Sequence, residues 1–231
     1  MLLIYHMDTR AITSEALVDR ALRALEERFV TMQLPPGSVW SEAALSDMLK
    51  IGRTPVREAI ARMAMDGLVT VMPRAGIVIS QISVEAQLQV LDTRRVLEKL
   101  VSVRAAQRAT DGERKELRVM ADAIDAAGRR QDVHAYLQQH FRVKRFVTQC
   151  ARNPYAERAL RPLHTFSQRF YFCHHREFDN LPVVGPAHAD LTRAIAEGDG
   201  ARASSRCDVV SDIAESFTRE LLVRPTRQGI S

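Results

Sequence analysis

The sequence predicts a mainly α fold in two parts: a small helical unit closed by one β-hairpin, then a long antiparallel bundle of helices. Three observations carry this. Apolar residues recur at three- and four-residue spacing along most of the chain. The period changes only once, to the β-branched runs Leu68-Val69-Thr70-Val71-Met72 and Ile77-Val78-Ile79. The length of 231 residues, 46% hydrophobic and 26% charged, suits one to two domains with cores of their own and excludes a disordered chain.

The elements follow in order. Thr13 or Ser14 can cap a first helix in which Leu17, Val18, Ala21, Leu22, Leu25 and Phe29 share a face. Leu34-Pro35-Pro36-Gly37 ends it. Ser41 can cap a short second helix carrying Ala44, Leu45, Met48 and Leu49, with a turn at Lys50-Ile51-Gly52. A third helix runs from Arg53 to Met65, turns Val56, Ile60 and Met63 inward, and stops at Asp66-Gly67. Pro55 is tolerated because the first turn of a helix has no N–H bond to lose. The β-branched runs form a hairpin around Pro73-Arg74-Ala75-Gly76, with Gly76 at its tip. Beyond Ser80 the chain reads as helical from Val84 to Val223. Its turns fall near Thr110-Asp111-Gly112, Asn153-Pro154, Pro182 to Pro186, and Gly198-Asp199-Gly200. Residues 224–231 read as a frayed tail.

The order helix, helix, turn, helix, hairpin is that of a winged helix-turn-helix, assigned to residues 12–80, with an all-helical domain over 84–223. In that arrangement the third helix enters the major groove, and its first turn reaches base edges. Arg53, Thr54 and Arg57 occupy that end, and arginine can bond a guanine edge with two donors. Arg74 on the hairpin is placed for phosphate or the minor groove. The formal charge of +5 is no guide, since residues 1–80 hold nine bases and nine acids. Locally, Lys50 to Arg74 holds five bases against two acids, a patch suited to phosphate.

Other classes lose support. No apolar run approaches the ~20 residues that span a bilayer. The apolar opening Met1 to Tyr5 lacks the basic segment and cleavage site of a secretory signal. Cys150, Cys173 and Cys207 are odd in number, far apart and set among apolar helical residues, as expected of reduced, inert thiols in the cytoplasm. No nucleophile motif, phosphate loop or zinc-protease motif supports an enzyme acting on a small organic acid.

Pro36-Gly37 and the run Ile51-Gly52-Arg53-Thr54-Pro55-Val56-Arg57-Glu58-Ala59, with Met65-Asp66-Gly67-Leu68-Val69 and Pro73-Arg74-Ala75-Gly76, closely resemble the GntR family of bacterial transcription regulators. Downstream, Asp92-Thr93-Arg94-Arg95-Val96-Leu97-Glu98, Ala105-Ala106, Asn153-Pro154 and Ala194-Ile195 with Gly198-Asp199 resemble the FCD effector domain of the FadR-type branch. The resemblance covers roughly residues 14–222. It implies a homodimer on an inverted-repeat DNA operator, repression by default, and a small organic-acid effector that alters operator affinity about the Gln81–Glu85 junction. DNA contacts carried over are Arg53, Thr54 and Arg57, with Arg74 and Gly76 in the wing. Two departures stand out: Gly52 replaces the usual capping Ser, and Ala43 replaces an arginine that contacts DNA in some members.

The helical faces suggest an effector pocket. Arg94 falls within an apolar stripe of Val90, Leu91, Leu97, Val101 and Ala105, where a guanidinium needs an anion, either Glu98 one turn on or a ligand carboxylate. His140 and Lys144 sit at the centre of the inward face of the next-but-one helix, and two ionisable groups on one apolar stripe point to a polar cavity. His188 shares a face with Leu191 and Ile195. His164, Ser167, Tyr171 and His174 form another row. Arg94, His140, Lys144, Tyr171, His174 and His188 are therefore the candidate effector residues.

Many domains of the resembling type hold a divalent metal through an Asp, a His one turn on, and two later histidines. Alignment puts His140, Lys144, His188 and Val210 at those positions, so two of the four ligands are lost. The expectation is no metal cofactor, with Lys144 and Arg94 as the fixed positive charge and His140 and His188 as donors to a carboxylate. The alternative is a rearranged metal site of His140 and His188 with His164 or His174.

Overall fold

The structure, a computed structural model, describes residues 9–177 and 179–223, with side chains described within residues 16–222. The chain divides into two compact units, one ending at Gln81 and one beginning at Ile82. The tail over 224–231 lies outside the described residues.

The first unit contains α1 (Thr9–Val30), β1 (Val39–Trp40), α2 (Glu42–Leu49), α3 (Arg53–Met65), β2 (Val69–Met72) and β3 (Gly76–Ile79). Helix α1 begins ahead of Thr13 and Ser14, which lie inside it rather than capping it, because Thr9 to Ile12 contain no glycine or proline to stop it. Val18, Ala21, Leu22, Leu25 and Phe29 are buried as the spacing predicts, whereas Leu17 is exposed. Helix α3 packs on α1, and Arg62 of α3 donates to Asp19 of α1 at 2.9 Å. At α2 the Ser41 hydroxyl accepts from the Ala44 N–H at 3.0 Å, and Lys50 ends the helix in the left-handed conformation. Of the residues assigned to α2, Leu45 and Leu49 turn inward and Ala44 faces out.

The hairpin of β2 and β3 is joined by β1, giving an antiparallel sheet of order β1-β3-β2. The two-residue β1 went unforeseen because so short a strand has no periodicity to read. The tip is also displaced from its expected place. Arg74 takes the positive φ of 64° in the turn, while Gly76 is already in the ladder opposite Met72. Gly76 has φ 115°, and a Cβ there would lie 2.8 Å from the Trp40 carbonyl oxygen, so the approach of β1 requires glycine.

The second unit is a helical bundle of α4 (Val84–Arg108), α5 (Asp111–Arg129), α6 (Val133–Cys150), α7 (Pro154–Cys173), α8 (Leu181–Glu197) and α9 (Gly200–Val223), with a short 3-10 turn over His175–Glu177. Polar side chains cap four of these helices: Ser83, Thr110, Asp132 and Asn153 each accept from a backbone N–H three residues on. Thr110 and Glu113 make a reciprocal capping box. Helix α8 starts at Leu181, not near Pro186. Pro182 falls in its first turn, where no N–H bond is lost, and Pro186 gives up only one bond within the helix.

The core of this unit contains Val101, Leu117, Val147, Leu160, Ile195 and Val210. Helices α5 and α8 meet at Gly128 and Gly185, where a Cβ on either glycine would fall 2.7–2.8 Å from the Cα of the other. Cys150 and Cys207 are buried as expected, but Cys173, at the end of α7, is exposed. No helix among the described residues is long and apolar enough to cross a membrane.

Candidate functional site

Two sites emerge, one in each unit. In the first, α3 buries Val56, Ala59, Ile60 and Met63 and thereby turns Arg53, Thr54 and Arg57 outward. Arg53 and Thr54 are its first two residues, entered from Gly52 with no side-chain cap. Arg57, one turn on, is held in a fork. Its Nε and Nη2 donate to the two oxygens of Glu42, both at 2.8 Å. The hydrogen bond from Arg57 holds the Glu42 carboxyl below its usual range. Glu42 carries no signal in the sequence, because the contact spans fifteen residues and crosses from α2 to α3. Arg74 is exposed in the hairpin turn. Gly76 is half-buried, and packing against β1 already accounts for a glycine there.

In the second unit α4, α6, α7, α8 and α9 line a small cavity that opens to solvent. Of the six candidate effector residues, Arg94, His140, Lys144, Tyr171 and His188 line it. His174 does not. Helix α7 stops at Cys173, and His174 is its C-cap, with its ring 4.7 Å from that of Phe170.

At the centre of this group is Glu98. Arg94 donates to its Oε1 through Nε at 3.0 Å and Nη2 at 2.7 Å. Lys144 Nζ donates to Oε2 at 2.7 Å, and His164 Nε2 lies 2.9 Å from Oε1. Burial by itself would raise the Glu98 carboxyl, but the charges of Arg94 and Lys144 and the bond from His164 hold it well below the usual carboxylate range. The two cations expected to supply fixed positive charge to a carboxylate effector are thus bound to an internal carboxylate. Of the two partners open for Arg94, the structure shows Glu98. Sequence reasoning could not see that Lys144 and His164 reach the same carboxylate from two other helices.

His140 lies beside this cluster, its ring parallel to Tyr136 at 5.8 Å and edge-on to His188 at 4.5 Å. Burial, reinforced by His188 and the nearby cations, drives its imidazole well below the ordinary value, so it is neutral. Both of its ring nitrogens are buried without a hydrogen-bond partner among the described residues. His188 is pushed down to about 3, chiefly by burial and then by Lys144. Its Nδ1 sits 3.1 Å from the Val184 carbonyl and 3.1 Å from the Tyr136 hydroxyl. A carbonyl only accepts, so Nδ1 carries the hydrogen and Nε2 is left as an acceptor, not the donor expected.

The positions that hold a metal in resembling domains do converge here, since His140, Lys144, His188 and Val210 all line the cavity. They do not fit one. Val210 has no donor atom, the Lys144 ammonium is a cation bound to Glu98, and two neutral imidazoles are too few. The rearranged set is not assembled either. His164 is bound to Glu98 and His174 lies outside the cavity. No group of three or more His, Cys, Asp or Glu among the described residues could hold a metal ion.

Comparison with known proteins matches residues 17–79 to the bacterial regulatory proteins of the gntR family and residues 89–209 to the FCD domain. The HTH-type transcriptional repressor RspR of Escherichia coli (strain K12) is 22% identical over 194 residues, covering 84% of this chain and 85% of its own. The Nta operon transcriptional regulator of Aminobacter aminovorans is 25% identical over 172 residues, covering 73% and 78%. Among solved structures, E. coli McbR/YncC has the same fold, with a TM-score of 0.77 at 15% identity over 89% of this chain and 98% of that one. A GntR regulator from Rhodococcus sp. RHA1 superposes at a TM-score of 0.63 with 19% identity, over 88% and 97%. The FCD match alone spans more than half of the residues, and the matched relatives are named as regulators, not enzymes. The chain belongs to the GntR family of bacterial DNA-binding transcriptional regulators, with an FCD domain as its second unit.

Proposed function

We propose that the chain is a cytoplasmic, homodimeric repressor that reads an inverted-repeat operator through α3 and the wing and is released or recruited by a small anionic effector in the helical unit. The observation that carries the DNA reading is the polarity of α3. Its inner face is fully buried and its first turn leaves Arg53 and Thr54 exposed. Arg53 is the base-reading arginine, because the Arg57 fork is engaged by Glu42. Arg74 makes a backbone contact from the wing, with Gly76 beside it. A two-fold protein matches two half-sites, so the operator is an inverted repeat. Repression follows the name of RspR, a related repressor. The effector reading rests on a polar cavity, lined by buried groups, inside an otherwise apolar bundle. No metal is required, since Arg94 and Lys144 supply fixed positive charge.

A salt-dependent gel shift tests the DNA reading. Arg53→Ala is expected to cost about 1–3 kcal/mol and to relax preference at one base pair of each half-site. Arg74→Ala is expected to weaken binding evenly across sequences and to lower the salt slope by about one. Equal affinity of the wild type for an inverted repeat and for scrambled DNA would overturn the assignment.

A further inference from the structure

The charges and the unpartnered polar atoms of the cavity define the ligand more narrowly than "anion". Three formal charges are buried there: Arg94, Lys144 and Glu98, each with no more than 9% of its surface exposed. One carboxylate faces two cations, so the set is left with a single unit of positive charge. The three histidines nearby are neutral, each driven down chiefly by burial. Arg95 also lines the cavity, but it is half-exposed and paired with Asp212 and Glu215, where water screens the group.

Among the described residues, the cavity also has buried polar atoms without a hydrogen-bond partner. Nη1 of Arg94, both ring nitrogens of His140 and Oδ1 of Asn180 are buried without a hydrogen-bond partner, and all three residues line it. Each such group costs free energy until a ligand or water pairs with it. Arg94 Nη1 donates. A neutral imidazole offers one donor and one acceptor, while Asn180 Oδ1 and His188 Nε2 only accept. A carboxylate, which accepts only, suits Arg94 Nη1 but not the other end. Hydroxyl groups, which donate and accept, suit His140, His188 and Asn180.

We infer that the cavity takes a hydroxylated monocarboxylate, whose single charge completes the Arg94–Glu98–Lys144 cluster and whose hydroxyls pair with His140 and Asn180. This rests on the reading of the cavity as the effector site. A dicarboxylate would bury an unmatched negative charge against acceptor atoms, and a neutral polyol would leave the positive charge uncompensated.

Two matched series test it by titration calorimetry on the full chain. Propane-1,2-diol, lactate and tartronate share three carbons and carry zero, one and two negative charges; glucitol, gluconate and glucarate do the same on six. At least one of the two monoanions is expected to bind at least about tenfold tighter than its neutral and doubly charged counterparts. The preference should follow the charge of the site. Lys144→Met, with no net charge, is expected to bring the polyol level with the monoanion. Glu98→Gln, with two positive charges, is expected to favour the dianion. Should Glu98→Gln fail to fold, Lys144→Met still decides, because Glu98 keeps Arg94 and His164. Binding of neither monoanion, tighter binding of a polyol or dianion to the wild type, or a preference unmoved by both variants overturns the inference. Failure of the underlying reading is separable. A monoanion that binds with the stated preference yet leaves operator affinity unchanged keeps the ligand assignment and removes the effector role.

Discussion

Glu98 organises the helical unit at the scale of single residues. It is one buried carboxylate that collects a guanidinium, an ammonium and an imidazole from three helices. Removing one partner of a buried ion pair leaves an uncompensated charge, so Glu98→Ala is expected to cost about 3–5 kcal/mol in urea unfolding. A loss below about 1 kcal/mol would show that the cluster is solvated. The neighbouring histidines set the pH dependence. His140, His164 and His188 are all held below the ordinary 6.5, so between that pH and their folded values the unfolded chain binds protons that the folded chain refuses. Stability is therefore full above about pH 6.5 and falls with decreasing pH, by about 1.4 kcal/mol per pH unit for each histidine. Glu98 acts in the same sense lower down, its contribution being lost as pH falls from 4.5 through its depressed folded value. Unfolding at pH 7.5, 6.0 and 5.0 checks this. His140→Phe is expected to flatten the slope by about 1.4 kcal/mol per pH unit, and an unchanged slope would contradict it. Periodicity placed Arg94, His140, Lys144 and His188 on inward faces, because burial follows the helical repeat. It could not reveal that Lys144 and His164 meet Glu98, since contacts between distant helices leave no local pattern.

At the scale of elements, two contacts decide geometry. Helices α5 and α8 approach through Gly128 and Gly185 with no room for a methyl group. Gly128→Ala or Gly185→Ala is expected to push the pair apart at a cost of about 1–3 kcal/mol in thermal unfolding, and a neutral effect would mean the helices slide freely. Glu42 of α2 holds the Arg57 fork of α3 and adds a negative charge beside the turn proposed to meet DNA. Glu42→Gln is expected to free Arg57 for phosphate, raising operator affinity and steepening the salt slope by about one. An unchanged slope would show that Arg57 already leaves Glu42 on DNA. The boundaries of α2 and α3 were legible from Ser41 and Asp66-Gly67, as caps and breakers act locally. Helix α8 was misread because two prolines imitate a loop, although the first falls where a helix tolerates it and the second costs only one bond. The wing's third strand escaped notice because two residues carry no period.

At the scale of the whole molecule, each unit has its own buried core, one serving DNA and the other, on the proposed reading, a small anion. Linkage ties them: whatever factor the effector applies to operator affinity, the operator applies to effector affinity. The most direct test of the central claim is selection of DNA from a random-sequence library by the purified chain, repeated with Arg53→Ala. The wild type is predicted to converge on an inverted repeat whose half-sites lie about one helical turn apart, and the variant to lose one conserved position in each half. Failure to converge, or the same motif enriched by both proteins, would contradict the assignment of α3 as the reading element.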